Sequence, residues 1–234
     1  MTGPSVTPEQ GVSGYENDRT QGPACAVAAG AGTIYRNYFA TVNERTGQTK
    51  HNQIDCLSDV GEALDNGDGR LWKMHNGYAL PSLEGLTEID NCLGSLDEVG
   101  LDAVRARLRI GIQWDTEVTL GDSVHRVSQA YCSALPVAYS GLPCRKWERF
   151  ARLILEAAYE ATLCVGILNG QRTANKQVFL TLLGGAAFGN SLPWIIDAIE
   201  QAVRRQRSQD LQVAIVSYRQ SNSAVVGLIE RIGL

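Results

Sequence analysis

This sequence contains few histidines and no long apolar run. Its three histidines, His51, His75 and His125, are not spaced as a ligand pair, so no histidine-based metal site is expected. No apolar run approaches the ~20 residues of a membrane span, and the first ten residues lack the pattern of a secretory signal. We therefore expect a protein that does not associate with membranes and that is cytoplasmic, or nuclear if its cell has a nucleus.

The six cysteines are isolated from one another and form no CxxC motif. This pattern predicts reduced thiols in the core of the protein, and neither a zinc site nor a disulfide framework. The chain carries a net charge of -4 and has a pI of about 5.4. Direct binding to nucleic acid is therefore not expected, and a negatively charged ligand would have to be held locally, by loops and dipoles.

The most informative stretch runs from Lys176 to Asp197, KQVFLTLLGGAAFGNSLPWIID. Its apolar run, 178–183, does not alternate with polar residues, which predicts a strand buried on both faces. Gly184 and Gly185 end the strand. Pro193 is typical of a first helical turn, because its missing N–H would have had no partner there. The predicted unit is a strand, a glycine-rich loop and a helix.

Such a loop is suited to an anion, and diphosphate is the ligand we expect. Glycines let the backbone approach a ligand, and the free N–H groups of a helix start carry the positive end of the helix dipole. Neither the Walker pattern nor the GxGxxG spacing is present, so this would be a phosphate loop without a lysine. The alternative is a tight turn that needs glycine only for its geometry.

The remaining patterns predict one domain of the α/β class. From Val127 onward strands and helices alternate, which favours a mainly parallel sheet with its ligand beyond the carboxyl ends of the strands. Asp115 and Glu117 share a strand face, which suits acid–base chemistry but also any solvated edge strand. The predicted elements are an irregular arm at 1–20, helices at 24–29, 53–64, 84–93, 96–108, 145–168 and 223–231, strands at 110–120, 125–136 and 211–218, a strand or an extended surface segment at 33–42, and a hairpin at Asn76-Gly77.

The C-terminal half resembles a macrodomain, the ADP-ribose-binding fold shared with poly(ADP-ribose) glycohydrolases. The resemblance rests on VFLTLLGGAAFGN, on the helix SLPWIIDAIEQAV and on the strand LQVAIVSY, with TQGPACAVAAGAG resembling the glycine-rich first loop. It implies a three-layer macrodomain-like sheet with helices on both faces. The domain would span 21–234, with an inserted helical and hairpin region at about 40–110.

The resemblance also implies a ligand and its contacts. The ligand would be ADP-ribose or a related nucleotide, free or attached to an ADP-ribosylated protein, and no cofactor or metal would be needed. Phe188 would lie near the distal ribose, Gln21 and Gly22 would approach from the first loop, and Tyr218 and Asn222 would flank the ribose or adenine. The residues implied to wrap the diphosphate are Gly184, Gly185, Ala186, Ala187, Phe188, Gly189 and Asn190.

Two departures from the family pattern bear on activity. Only a short arm precedes Gln21, so the resemblance implies a domain without the usual N-terminal strands. Gln21 is followed by Gly22 and Pro23 instead of the paired glutamates of the glycohydrolases. Hydrolysis of an ADP-ribosyl bond would then need another base, and the nearest carboxylates are Asp18 and Glu16. The alternative function is a non-catalytic protein-interaction domain that keeps the fold without the pocket and docks through the Asn76-Gly77 hairpin and the helices at 84–108.

Overall fold

A computed structural model describes residues 3–217 and 220–233, and of Gln21 only the backbone. Short 3-10 helices lie at Pro8–Gln10, Ser13–Asn17 and Val137–Tyr139. The α-helices are α1 (Gln21–Ala28), α2 (Gly30–Tyr38), α3 (Ser58–Ala63), α4 (Leu83–Ser95), α5 (Glu98–Arg105), α6 (Cys144–Thr173), α7 (Leu192–Arg205) and α8 (Ser223–Ile232). The strands are β1 (Thr41–Val42), β2 (Arg45–Thr46), β3 (Trp72–His75), β4 (Tyr78–Pro81), β5 (Gly111–Glu117), β6 (Arg126–Tyr131), β7 (Gln177–Leu180) and β8 (Gln212–Ile215).

The protein is a mixed helix-and-strand chain, as the α/β class requires, with 47% of residues helical and 15% in strands. Over residues 3–217 and 220–233, each sheet has two strands. No helix in this part of the chain is both long and apolar enough to cross a bilayer. The chain forms two compact units. The first comprises residues up to Cys56, Lys73–Leu80 and Gly111–Tyr131, and the second comprises Leu57–Trp72, Pro81–Ile110 and the residues from Cys132 onward.

In the first unit, the prediction of a strand or an extended surface segment at 33–42 is wrong, because most of this segment lies in α2. Two polar residues one turn apart form the buried side of the helix: Thr33 Oγ1 donates to Ala26 O at 3.1 Å, and Asn37 Nδ2 donates to Pro8 O at 3.1 Å. The aromatic residues that suggested a strand are exposed instead, as Phe39 shows at 56%. Polar partners, and not apolar burial, set the orientation of this helix.

The predicted hairpins of the first unit are confirmed. β5 and β6 pair antiparallel, with a bulge at Asp115, where φ is +53°. Glu117 forms an ion pair with Arg126 at 3.2 Å, which is what a solvated edge strand requires. At the other hairpin, Asn76 Nδ2 donates to Pro4 O, so the turn residue expected to dock a partner is largely buried, at 8% exposure.

The second unit is built around α6, which confirms the long helix predicted from Arg145. Its core-facing side packs against α4 and α7. Trp147, Phe150 and Ile154 on this side are at most 1% exposed, and the Phe150 ring packs in a tilted arrangement against Trp72, with ring centroids 5.1 Å apart. The helices predicted at 84–93 and 96–108 are also confirmed, as α4 and α5, whereas the one predicted at 53–64 is shortened to α3.

The sheet of the second unit is a single parallel pair, β7 with β8, joined through α7. The strand predicted at 125–136 does not extend this pair, since β6 pairs antiparallel with β5. The prediction that the 178–183 strand is buried on both faces is also wrong. Val178 and Leu180 are 7% and 2% exposed, whereas Phe179 between them is 65% exposed. One face of β7 therefore packs against the core and the other does not.

The prediction that the cysteines are core residues is wrong. All six are free thiols, and each is at least partly accessible: Cys25, Cys144 and Cys164 are exposed, and Cys56, Cys92 and Cys132 are intermediate. An apolar neighbourhood in sequence does not fix which side of a helix a residue occupies. Cys164, for example, lies on the edge of α6 beside the Gln206 amide.

Candidate functional site

The glycine-rich loop between β7 and α7 is built from consecutive tight turns. The N–H of Gly185 donates to Leu182 O, that of Gly189 to Ala186 O, and that of Asn190 to Gly184 O, at 3.0–3.2 Å. Three of the amides that the sequence suggested for a diphosphate are therefore used within the loop itself. They fix its shape and do not face a ligand.

Two positions in this loop require glycine. Gly184 and Gly189 have φ of +76° and +70°, which a residue with a Cβ rarely adopts. A Cβ at Gly184 would lie 2.3 Å from the Ala134 Cβ, and one at Gly189 would lie 2.9 Å from the Ala138 Cβ. The loop is thus pressed against the segment that precedes α6. The Phe188 carbonyl also accepts from Ala138 N at 2.9 Å.

A buried tyrosine of α6 holds the start of the loop. Tyr159 is 3% exposed; its hydroxyl donates to Thr181 O at 2.7 Å and accepts from Leu183 N at 2.8 Å. Burial raises the pKa of this phenol, so the hydroxyl stays protonated and remains a donor at physiological pH. Tyr159 therefore fixes the backbone immediately before Gly184.

Asn190 holds the other end of the loop. It is 4% exposed, and its Nδ2 donates to Leu135 O at 2.8 Å and more weakly to Gly184 O at 3.4 Å. Its Oδ1 is buried and has no hydrogen-bond partner among residues 3–217 and 220–233. Asn190 is thus both an anchor of the loop and a source of one unused acceptor.

The apex of the loop offers free donors. Ala186 and Ala187 are exposed, and over residues 3–217 and 220–233 their N–H groups make no hydrogen bond. Beyond them, α7 begins at Leu192 with Pro193 in its first turn, and the N-cap Ser191 makes no side-chain capping bond. Two exposed amides and an uncapped helix start can bind an anion.

No protein-family model, curated protein or solved structure matches the chain. The chemistry of the loop is therefore inferred from its geometry. Phe188, expected beside a ribose, is half-buried and packs edge-to-face on Tyr139, with ring centroids 5.4 Å apart.

The other predicted site residues are divided between the two units. Gln21 and Gly22 open α1 in the first unit, and Gly22 is exposed. Asp18, in the same unit, accepts from both Thr20 N (2.9 Å) and Thr20 Oγ1 (2.6 Å) through one carboxylate oxygen. In the second unit Asn222 caps α8, because its Oδ1 accepts from Ala224 N at 2.9 Å. Tyr218 lies outside the described residues.

Sequence reasoning missed Tyr159, which holds the start of the loop, and the buried hydroxyl of Ser217 beyond β8. A tyrosine on the buried face of a helix predicts only that its hydroxyl has a hydrogen-bond partner. The sequence does not show that this partner is the loop. Ser217 follows β8, and the Oγ of this residue is buried without a hydrogen-bond partner in the part of the chain that the structure describes. A serine at a strand end carries no sequence signal of this kind.

We predict that Tyr159→Phe loosens the loop without unfolding the protein. The change removes both hydrogen bonds of the hydroxyl, while Leu183 N keeps Thr181 O as an acceptor at 2.9 Å, so the expected cost is about 1 kcal/mol. Hydrogen exchange should accelerate at Leu183 and at the loop amides, while the amides in the middle of α7 keep their protection. Tyr139→Phe is the matched control. Unchanged exchange at Leu183 in Tyr159→Phe would show that this tyrosine does not hold the loop.

Proposed function

We propose that this protein binds ADP-ribose or a related nucleotide diphosphate through the loop between β7 and α7. The observation that carries the proposal is the pair of exposed, unbonded amides at Ala186 and Ala187, held at the carboxyl end of a strand in a parallel pair. Ligands of such sheets bind at this edge. These features resemble those of a macrodomain ligand site.

The binding chemistry follows from the absence of a cation in the loop. Its residues, GGAAFGNS, include no lysine or arginine, so the negative charge would be balanced by N–H groups and by the positive end of the α7 dipole. Gly185, Gly189 and Asn190 shape the loop through their turns, and Ala186 and Ala187 would donate to phosphate oxygens. Backbone donors of this kind bind without a metal or cofactor.

The proposal includes the finer fold, a three-layer sheet with helices on both faces. Parallel sheets in proteins are covered on both sides, and the bare face of β7 that exposes Phe179 is where such a layer would belong. If a further layer covers this face, the β7 amides should be protected from hydrogen exchange about as well as the amides of α6.

Hydrolysis of an ADP-ribosyl bond would be a further step of the same function. It needs a base that directs a water at the anomeric carbon. Asp18, the base that the sequence suggested, belongs to the first unit, and the loop belongs to the second. Release of ADP-ribose from a modified protein by the wild-type chain, lost in Asp18→Asn, would show the hydrolysis.

Calorimetry with ADP-ribose tests the binding proposal. We expect saturable heat with a Kd in the micromolar range or below, and weaker binding of AMP, which lacks the diphosphate. Circular dichroism on the same sample checks that the protein is folded. A folded protein that gives no heat with ADP-ribose at high micromolar concentration would contradict the proposal and favour the protein-interaction alternative.

A further inference from the structure

Two buried polar atoms that have no partner among the described residues, 3–217 and 220–233, belong to the region of the proposed site. They are Asn190 Oδ1, at the end of the glycine-rich loop, and Ser217 Oγ, just beyond β8. Native proteins leave few buried polar atoms unpaired, because each one loses its hydrogen bonds to water without replacement. Proteins break this rule mainly at functional or strained sites, so each such atom calls for an explanation.

Both residues belong to the carboxyl edge of the β7–β8 pair. Val216 N donates to Leu180 O at 2.8 Å, so the pairing continues past β8 and places Ser217 one residue beyond it. Asn190 ends the loop that leaves the same edge from β7. In the second unit the two orphan atoms thus flank the edge at which the free amides of Ala186 and Ala187 lie.

The chemistry of these atoms differs from that of the loop amides. An amide oxygen such as Asn190 Oδ1 only accepts hydrogen bonds, so the diphosphate of a diester such as ADP-ribose, which carries no proton at neutral pH, cannot satisfy it. A sugar hydroxyl both donates and accepts, and it can pair with either orphan. The Ser217 hydroxyl can also be redirected by rotation about its Cα–Cβ bond, without a change in the backbone.

We infer that Ser217 and Asn190 form a hydroxyl-recognising subsite next to the diphosphate loop. The ligand class is then a diphosphate ester that carries sugar hydroxyls, and bare pyrophosphate would satisfy only the loop amides. This inference rests on the proposed function. Ser217 is the residue that tests it, because Asn190 also anchors the loop.

The test compares Ser217→Ala with the wild-type chain. Removing an unpaired buried hydroxyl should raise the Tm of the ligand-free protein by about 2–4 °C. The same change should weaken ADP-ribose binding about tenfold, since a hydrogen bond to the ligand is lost. Pyrophosphate binding should not change. Ser95→Ala is the matched control, because the Ser95 hydroxyl bonds only locally, to Cys92 O, at the exposed end of α4.

The outcomes separate the two proposals. Equal ADP-ribose affinity in Ser217→Ala and wild type overturns the subsite and leaves the diphosphate loop standing. Equal weakening of ADP-ribose and pyrophosphate overturns it as well, because the change would then have disturbed the loop. A lower Tm in Ser217→Ala shows that the hydroxyl is paired within the protein, which also overturns it. Absence of binding by the wild-type chain overturns both the subsite and the proposed function.

Discussion

Gly184→Ala is expected to destabilise the protein by about 3 kcal/mol and to weaken ADP-ribose binding at least ~tenfold. Two costs combine at this position. The backbone has φ of +76°, and the new methyl carbon would lie 2.3 Å from the Ala134 Cβ and 2.7 Å from Asn190 Nδ2. Neither neighbour can simply swing away, because Ala134 is buried and Asn190 anchors the loop. The loop must therefore change shape.

Gly67→Ala is the matched control for this prediction. Gly67 lies in an exposed loop of the same unit, and an added Cβ there would meet no atom within 4 Å. Thermal unfolding and calorimetry on the two variants distinguish the strain and steric clash at position 184 from the effect of replacing any loop glycine with alanine. If Gly184→Ala matches Gly67→Ala in stability and in ADP-ribose affinity, the loop does not need a glycine with positive φ at position 184.

Arg105→Met is expected to cost about 3 kcal/mol of stability at neutral pH. The Arg105 side chain is 9% exposed, and its Nε lies 2.7 Å from Glu156 Oε2, whose side chain is 16% exposed. The arginine also bonds Glu98 and Asp102 on α5, but these two carboxylates keep Arg205 as a partner. Glu156 would be left buried and unpaired, which is the costly outcome.

The stability lost in Arg105→Met should depend on pH. Burial already raises the pKa of Glu156, against the opposing effect of Arg105, and removal of the arginine should raise it further. An acid whose pKa is raised on folding stabilises the protein at pH below its unfolded value and loses that contribution as pH rises through the folded value. Urea unfolding should therefore show a larger deficit for Arg105→Met at pH 8 than at pH 4.5.

Two variants serve as controls for this ion pair. Arg149→Met breaks an exposed pair with Asp90 and should cost no more than about 1 kcal/mol. Arg105→Met combined with Glu156→Leu removes both charges and should recover most of the stability. A deficit for Arg105→Met that is independent of pH, and no larger than that of Arg149→Met, would mean that Glu156 remains solvated.

Periodicity in the sequence was sufficient for the long helices and the turns. The spacing of Trp147, Phe150 and Ile154 predicted the buried side of α6, and Pro193 and Asn222 marked the starts of α7 and α8. The Asn76-Gly77 turn followed from residues that tolerate positive φ. These signals depend on neighbours in sequence, so they do not require knowledge of the packing.

The sequence by itself determined the strand, glycine-rich loop and helix near residue 184, because apolar runs, glycines and a first-turn proline act locally. Only the tertiary structure decided which amides of that loop stay free, since this depends on turns closed by Gly184 O and Ala186 O and on anchoring by Tyr159 from a helix more than twenty residues away. It also decided that Phe179 is exposed. Burial and hydrogen-bond partners are set by contacts between segments distant in sequence, and a local pattern does not contain them.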